Sequence, residues 1–201
     1  MRIIPRHRVV YAMAQHSQPA AQVEPGETVT FLTEDCYSGT VRTTRDRFPS
    51  SKMHLANPAT GPVYVRGAKP GDVLAVDIIE VKPVGKATML TGPGKGPVGY
   101  KLTHDEVMKI PMRRGFLHLG ERRIPMQPMI GVIGVAPRRK PIANPWPGEH
   151  GGNMDCNVIR AGATVYLPVY VSGALLALGD VHAVQAAGEV GICAAEVKAR
   201  V

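Results

Sequence analysis

Aromatic residues make up only 5% of this 201-residue chain, and cysteine occurs three times. Each scarcity excludes something. Single-strand nucleic-acid binders interleave basic charge with aromatic stacking platforms. The chain has a net charge of +8 but few such platforms. No helix-turn-helix, zinc-finger or RRM pattern accompanies the basic clusters Arg42, Arg45 and Arg47; Arg113 and Arg114; Arg122 and Arg123; and Arg138, Arg139 and Lys140. They read as solvated basic edges or an intersubunit surface, and no nucleic-acid partner is expected.

Cys36, Cys156 and Cys193 lie far apart and form no CxxC. That argues against a disulfide framework and fits a reducing cytoplasm. The basic N-terminus, Met1 to Arg8, has no apolar run of signal-peptide length, and no segment approaches the roughly 20 apolar residues of a bilayer span. We therefore expect a soluble cytoplasmic protein with no membrane partner. A Gly-x-Ser-x-Gly elbow is missing, which excludes the usual serine mechanism of α/β-hydrolases. The loop Gly92-Pro93-Gly94-Lys95-Gly96-Pro97 lacks the Gly-Lys-[Ser/Thr] of a phosphate cradle.

What is present is apolar substance and punctuation. Hydrophobic residues reach 44%, enough for a core, and glycine (22) and proline (18) are frequent without a collagen-like period. This composition predicts turns joining short strands. Strands are expected at 27–33 after the turn Pro25-Gly26, at 63–65, at 72–81 after Pro70-Gly71, at 130–136, at 163–170 and at 190–197. The stretch from Ser38 to Ser51 reads as a loop. Gly173 to Leu178 could make one or two helical turns before Gly179 stops them. The expected fold class is mainly β, a sandwich or barrel with few short helices, in a single domain over 1–201 with 1–23 as an N-terminal extension.

The chemistry concentrates late in the chain. Between Glu149 and Glu196 the only lysine or arginine is Arg160, in an otherwise basic protein. In that stretch lie His150-Gly-Gly-Asn153-Met-Asp155, Gly179-Asp180-Val181-His182 and Gly188-Glu189. Asn153 and Asp155 are two apart, so an extended segment would turn both to one face, toward one ion or one substrate. The alternative is a turn in which both cap backbone groups. Oxygen donors of this kind suit Ca²⁺ or Mg²⁺, whereas adding His150 or His182 favours Zn²⁺. Asp180 and His182 have the same spacing and can supply two ligands or form a structural hydrogen bond. Glu189 would act as general base or acid if the chain folds back, and is otherwise a solvated strand residue. Asp35 and His54 are candidates from the first half. Cys156 reads as a small apolar filler.

Taken together, these pieces resemble the acetamidase/formamidase family. The matching segments begin with Pro25-Gly26-Glu27-Thr28-Val29-Thr30-Phe31. They continue through Asn57-Pro58-Ala59-Thr60-Gly61-Pro62-Val63-Tyr64-Val65, Gly67 to Leu74 and Gly134-Val135-Ala136-Pro137. The last are His150 to Asp155, Leu167-Pro168-Val169, Gly179 to Ala183, Gln185 and Gly188-Glu189-Val190. The resemblance implies a mostly β fold and metal-dependent hydrolysis of a short-chain amide, of formamide or acetamide type, to a carboxylate and ammonia.

It also implies a site. Asp35, Asp155, Asp180 and His182 would hold the divalent metal, with Zn²⁺ first and Ca²⁺ or Mg²⁺ as alternatives. Glu189, Asn153 and His150 would be catalytic, with Glu189 carrying the proton to the departing nitrogen. His54 and Gln185 would contact the substrate. Two departures stand out. The family's Gln-Gly-Asp-Gly-Glu reads Gln185-Ala186-Ala187-Gly188-Glu189 here, with an alanine in place of the aspartate. Members also continue past the Gly-Glu-Val motif, whereas this chain stops at Val201. We therefore expect a homo-oligomer, or a partner subunit that supplies the C-terminal region. The alternative function is a non-catalytic small-ligand-binding or assembly module on the same scaffold.

Overall fold

Glycine and proline cut the chain into short extended segments, and hydrogen bonding between them builds nearly the whole protein. The computed structural model describes residues 2–192 and 194–201. Cys193, the third cysteine, and Met1 lie outside the described residues. In chain order the strands are β1 (Arg2–Ile4), β2 (Val9–Val10), β3 (Ala12–Met13), β4 (Ala21–Val23), β5 (Val29–Thr33), β6 (Ala59–Val65), β7 (Val73–Asp77) and β8 (Lys82–Thr91). They continue as β9 (Glu106–Arg113), β10 (Phe116–Leu119), β11 (Arg122–Pro125), β12 (Met129–Gly134), β13 (Ile142–Ala143), β14 (Gly151–Asn153), β15 (Thr164–Pro168), β16 (Leu176–His182) and β17 (Glu196–Arg200). Helix is confined, among the described residues, to 3₁₀ turns at Ser50–Leu55, Gly99–Lys101 and Ala187–Glu189.

Thirteen strands form one branched sheet, whose main path runs β11-β10-β9-β8-β17-β16-β12-β14. The branches are β1 on β5, which joins β17, and β2 and β4 on β6, which joins β16. The sheets do not close, so of the expected sandwich or barrel the closed barrel is set aside. Two small pairs, β3 with β13 and β7 with β15, stand apart from this sheet. Residues 2–23 contribute four of the strands, tied to β5, β6 and β13.

At the centre, every residue of β12 and β16 is buried. Their sequences, Met-Ile-Gly-Val-Ile-Gly and Leu-Ala-Leu-Gly-Asp-Val-His, lack the alternation of a half-exposed strand because both faces are covered. The core around them includes Ile4, Phe31, Val63, Ile130, Leu178 and Val197. A satellite core of Cys36, Tyr37, Val41, Phe48, Leu90 and Val107 anchors the irregular segment after β5. There the Tyr37 and Phe48 rings meet edge to face at 5.4 Å.

Several expectations are corrected. Leu176 to Leu178 is not helical, and Gly179 stops nothing. The stretch is β16, held between β6 and β12, and Gly179 sits inside it because any side chain there would strike the Pro58 carbonyl. The strand expected at 72–81 ends at Asp77, and β8 follows from Lys82. The last strand runs Glu196–Arg200 instead of beginning at Val190.

Beside the sheet lies an apolar groove of about 1150 Å³. Phe31, Val63, Leu74, Val76, Leu176 and the terminal Val201 are among its lining residues. Among the described residues, no helix is long and apolar enough to cross a membrane.

Candidate functional site

The polar residues of the late segment converge where β16 and β17 begin to pair. The register places His182 opposite Glu196. Asp180 lies two residues before His182 on the same strand. His182, Asp180 and Glu196 are 1%, 2% and 4% exposed, so this is charge buried inside the sheet. The His182 Nε2 lies 3.1 Å from Glu196 Oε2 and 3.4 Å from Asp180 Oδ1. Both are ion-pair contacts, and apart from them neither oxygen has a hydrogen-bond partner.

The other ring nitrogen is specified by its surroundings. Gln185 Nε2 donates to the Asp155 backbone carbonyl at 2.6 Å, which fixes the amide so that its Oε1 faces His182 Nδ1, also at 2.6 Å. A carbonyl oxygen only accepts, so Nδ1 carries the hydrogen. In a neutral imidazole this leaves the Nε2 lone pair directed among carboxylate oxygens. That arrangement requires either an added proton or a cation between the groups.

Asp155 enters from the loop after β14. Gly131 accepts from the backbone N–H groups of Met154 and Asp155 at 3.0 and 3.3 Å, which folds that loop onto β12. Gly131 is needed for the approach: a Cβ there would stand 2.7 Å from Asp155 Oδ1 and 2.8 Å from the Asp180 carboxylate. Glu189, on the last 3₁₀ turn, accepts from the Ala194 N–H at 2.9 Å. Asn57 steadies the opposite side by donating to Asp180 Oδ2 at 2.7 Å. Three of the acids, Asp155, Asp180 and Glu189, have positive φ angles of 44°, 51° and 42°. The left-handed region is one that non-glycine residues seldom occupy and that clusters at functional sites.

The electrostatics follow from burial and crowding. Burial, and then the carboxylates of Asp180 and Glu189, push the Asp155 carboxyl up to about 7. Burial and Asp180 likewise push Glu196 up to about 8, against the pull of His182. Glu189 is raised, chiefly by burial. For His182, burial works against the charged ring, but Glu196 and Asp180 outweigh it and hold the imidazole well above its ordinary value. Unfilled by a cation, the centre therefore stores protons at neutral pH.

Potential donor atoms fall into three overlapping sets, each within 4.8 Å: Asp155, Asp180 and His182; His182, Glu189 and Glu196; and Cys36, Asp180 and Glu196. With orphaned buried oxygens on Asp155, Asp180 and Glu196, and a histidine whose far nitrogen is already anchored, these residues fit a divalent cation.

Of the residues singled out from sequence, the structure gathers Asp155, Asp180, His182, Gln185 and Glu189. Asp35 is not gathered. Its Oδ1 accepts from the N–H groups of Tyr37 and Gly39 at 3.0 Å each, and it lines a cleft shared with Lys86, Lys109 and Lys198. The chain turns at this point, and it is the next residue, Cys36, that reaches the acids. Nor is His54, which sits on the exposed 3₁₀ turn after Pro49. His150 is buried between Gly148 and Gly152, outside the three donor sets, and burial lowers its pKa. Asn153 ends β14 opposite Val132, with its Oδ1 buried and without a hydrogen-bond partner. Sequence reasoning missed Cys36, Asn57 and Glu196. Glu196 had a visible signal, an acid set directly after the apolar pair Ala194-Ala195 at the start of a strand.

A branched, open β-sheet with an imidazole and four carboxyls enclosed at its centre defines a protein built around a small polar group. Its sequence places it more narrowly. The Acetamidase/Formamidase family model matches residues 15–146 and 141–201, and the chain belongs to that family. An acetamidase from Bacillus halodurans superposes with a TM-score of 0.95 at 40% identity, covering 98% of this chain and 68% of that one. A predicted acetamidase/formamidase from Thermoanaerobacter tengcongensis gives 0.96 at 39% identity, covering 100% and 67%. An acetamidase from Mycolicibacterium smegmatis is 26% identical over 88% of this chain and 60% of its own length. The chain thus spans about three fifths of the length of the curated relatives it matches.

Proposed function

We propose that the protein hydrolyses a short-chain amide, of formamide or acetamide type, to a carboxylate and ammonia, with a divalent cation held at the His182 centre. The observation that carries the metal reading is the unpartnered Asp180 Oδ1 and Glu196 Oε2 flanking an Nε2 whose ring is already oriented by Gln185. The substrate class comes from the relatives, which are named as acetamidases. The enclosure of the centre suits a small amide. Asp180, His182, Glu196 and Asp155 would hold the cation, which when bound polarises a carbonyl and lowers the pKa of water. An imidazole among the donors favours Zn²⁺ over Ca²⁺ or Mg²⁺.

The chain's own residues account for the proton traffic. Glu189 is the acid left outside that ligand set, and burial raises it, which suits it to take up a proton and give it back. Water adds to the amide carbon as the Glu189 carboxylate takes its proton. The same proton passes to the nitrogen as the C–N bond breaks and ammonia leaves. Asn57 and Gln185 hold Asp180 and His182 in place throughout.

Ammonia release from formamide, acetamide and propionamide, measured before chelation, after it and after Zn²⁺ is restored, tests this. Release that chelator abolishes and Zn²⁺ restores is expected. No release from any of these amides in the metal-loaded protein would overturn the amidase reading, and release unaffected by chelator would overturn the metal reading.

A further inference from the structure

Cys36 carries no catalytic signature in the sequence, yet the fold brings it to the acids. It follows β5 in a tight turn organised by Asp35, and its own backbone carbonyl accepts from the Asn57 N–H at 2.9 Å. Asn57 in turn donates to Asp180. The thiol is buried, and it lies within 4.8 Å of carboxylate oxygens of both Asp180 and Glu196.

Packing alone does not explain this position. Tyr37, Val41 and Phe48 share its apolar cluster, but an apolar filler gains nothing from facing two buried carboxylates. A thiol is a weak donor with one hydrogen, and two orphaned oxygens, Asp180 Oδ1 and Glu196 Oε2, flank the centre. The donor set of Cys36, Asp180 and Glu196 shares its two acids with the groups around His182 Nε2. The two acids thus lie between the sulfur on one side and the imidazole on the other, and a borderline-soft cation accepts all three kinds of donor.

We propose that Cys36 is a sulfur ligand of the divalent cation at this centre, making it a mixed thiolate, carboxylate and imidazole site selective for Zn²⁺ over Ca²⁺ and Mg²⁺. The inference rests on the metal reading above. As a ligand, the sulfur sheds its proton to solvent and contributes a negative charge that oxygen-preferring cations use poorly. Cys36 is then the residue that sets which ion the protein accepts.

Cobalt(II) titration of the chelator-treated protein tests this, using a parent in which Cys156 and Cys193 are both serine so that Cys36 is the sole thiol. The expected result is ligand-field bands in the visible together with a sulfur-to-cobalt charge-transfer band in the near ultraviolet. Excess Mg²⁺ or Ca²⁺ should displace neither. Adding Cys36→Ser should remove the charge-transfer band, keep the ligand-field bands and weaken cobalt binding by roughly tenfold or more. X-ray absorption of the zinc-loaded parent should show a Zn–S shell near about 2.3 Å, absent from the Cys36→Ser variant. Ligand-field bands without a charge-transfer band, and zinc without a sulfur shell, would overturn the assignment while leaving the metal reading intact. Failure to bind cobalt or zinc at all would overturn both.

Discussion

The protein has two interior regions of opposite character, and they divide its labour. The groove beside Val201 is large, and Val, Leu, Ile and Phe make up half of its lining residues. The centre around His182 is tight and packed with groups that resist burial, and it leaves oxygens on Asp155, Asp180 and Glu196 without hydrogen-bond partners. Space and chemistry are separated here. The charged residues of the groove are spread among its lining, whereas buried carboxylate oxygens without hydrogen-bond partners call for a proton, a water or an ion.

Substitutions in the two regions should therefore produce opposite signatures. On the function proposed above, the largest effect is expected from Glu189→Gln, which would remove the proposed proton carrier and should lower kcat for amide hydrolysis by roughly 10²–10⁴-fold. Ammonia release alongside thermal denaturation would check that the melting temperature stays near that of the parent. Phe31→Ala, in the groove, should do the reverse. Truncating this buried ring should cost about 3–5 kcal/mol of stability, read by denaturant unfolding, while the protein that remains folded keeps its kcat. If Phe31→Ala also cut kcat at saturating substrate, the separation of the two regions would fail.

A smaller effect is expected from Gly131→Ala. Its methyl would press on Asp155 and Asp180, and cation affinity should fall by about 10–100-fold, measured by competition with a chromogenic chelator. The smallest expected effect is on pH. Folded-state values for Asp155 and Glu196 of about 7 and about 8 lie above their ordinary 3.8 and 4.5. Between those limits the folded, metal-free chain holds more protons than the unfolded one, so its stability falls as pH rises. His182, also raised, adds to the loss as pH rises above its unfolded value. The melting temperature of chelated protein should therefore drop between pH 5 and 8. With Zn²⁺ present the trend should reverse, because protons and metal compete for the same groups. A flat profile in the chelated protein would sink this account.

The same contrast decides what was legible in the sequence. β5, β12 and β15 announced themselves through runs of Val, Ile, Leu and Tyr between turn residues. β16 did not, because a strand covered on both faces reads like a buried helical segment. The i, i+2 spacing of Asp180 and His182 was visible because it is local to one strand. The meeting of Cys36 with Asp180 and Glu196 was not, since pairing through β5, β16 and β17 creates it across most of the chain. Asp35 was the natural choice by residue type, yet the turn it caps consumes its oxygen and presents its neighbour instead. The amide orientation that fixes the His182 ring depends on a backbone carbonyl at Asp155, which no side-chain pattern encodes.

The positive φ angles at Asp155, Asp180 and Glu189 have a consequence for how this protein can evolve. Each holds a side-chain-bearing residue where glycine would rest more comfortably, at a cost of about 1–3 kcal/mol apiece. The centre is thus a standing debt against thermal resistance, which the proposed role of these acids would account for. A library selected for heat tolerance alone should drift toward glycine or asparagine at these three positions and lose turnover as it gains melting temperature. The route to a tougher variant of this protein runs through the rest of the sheet and leaves those three residues alone.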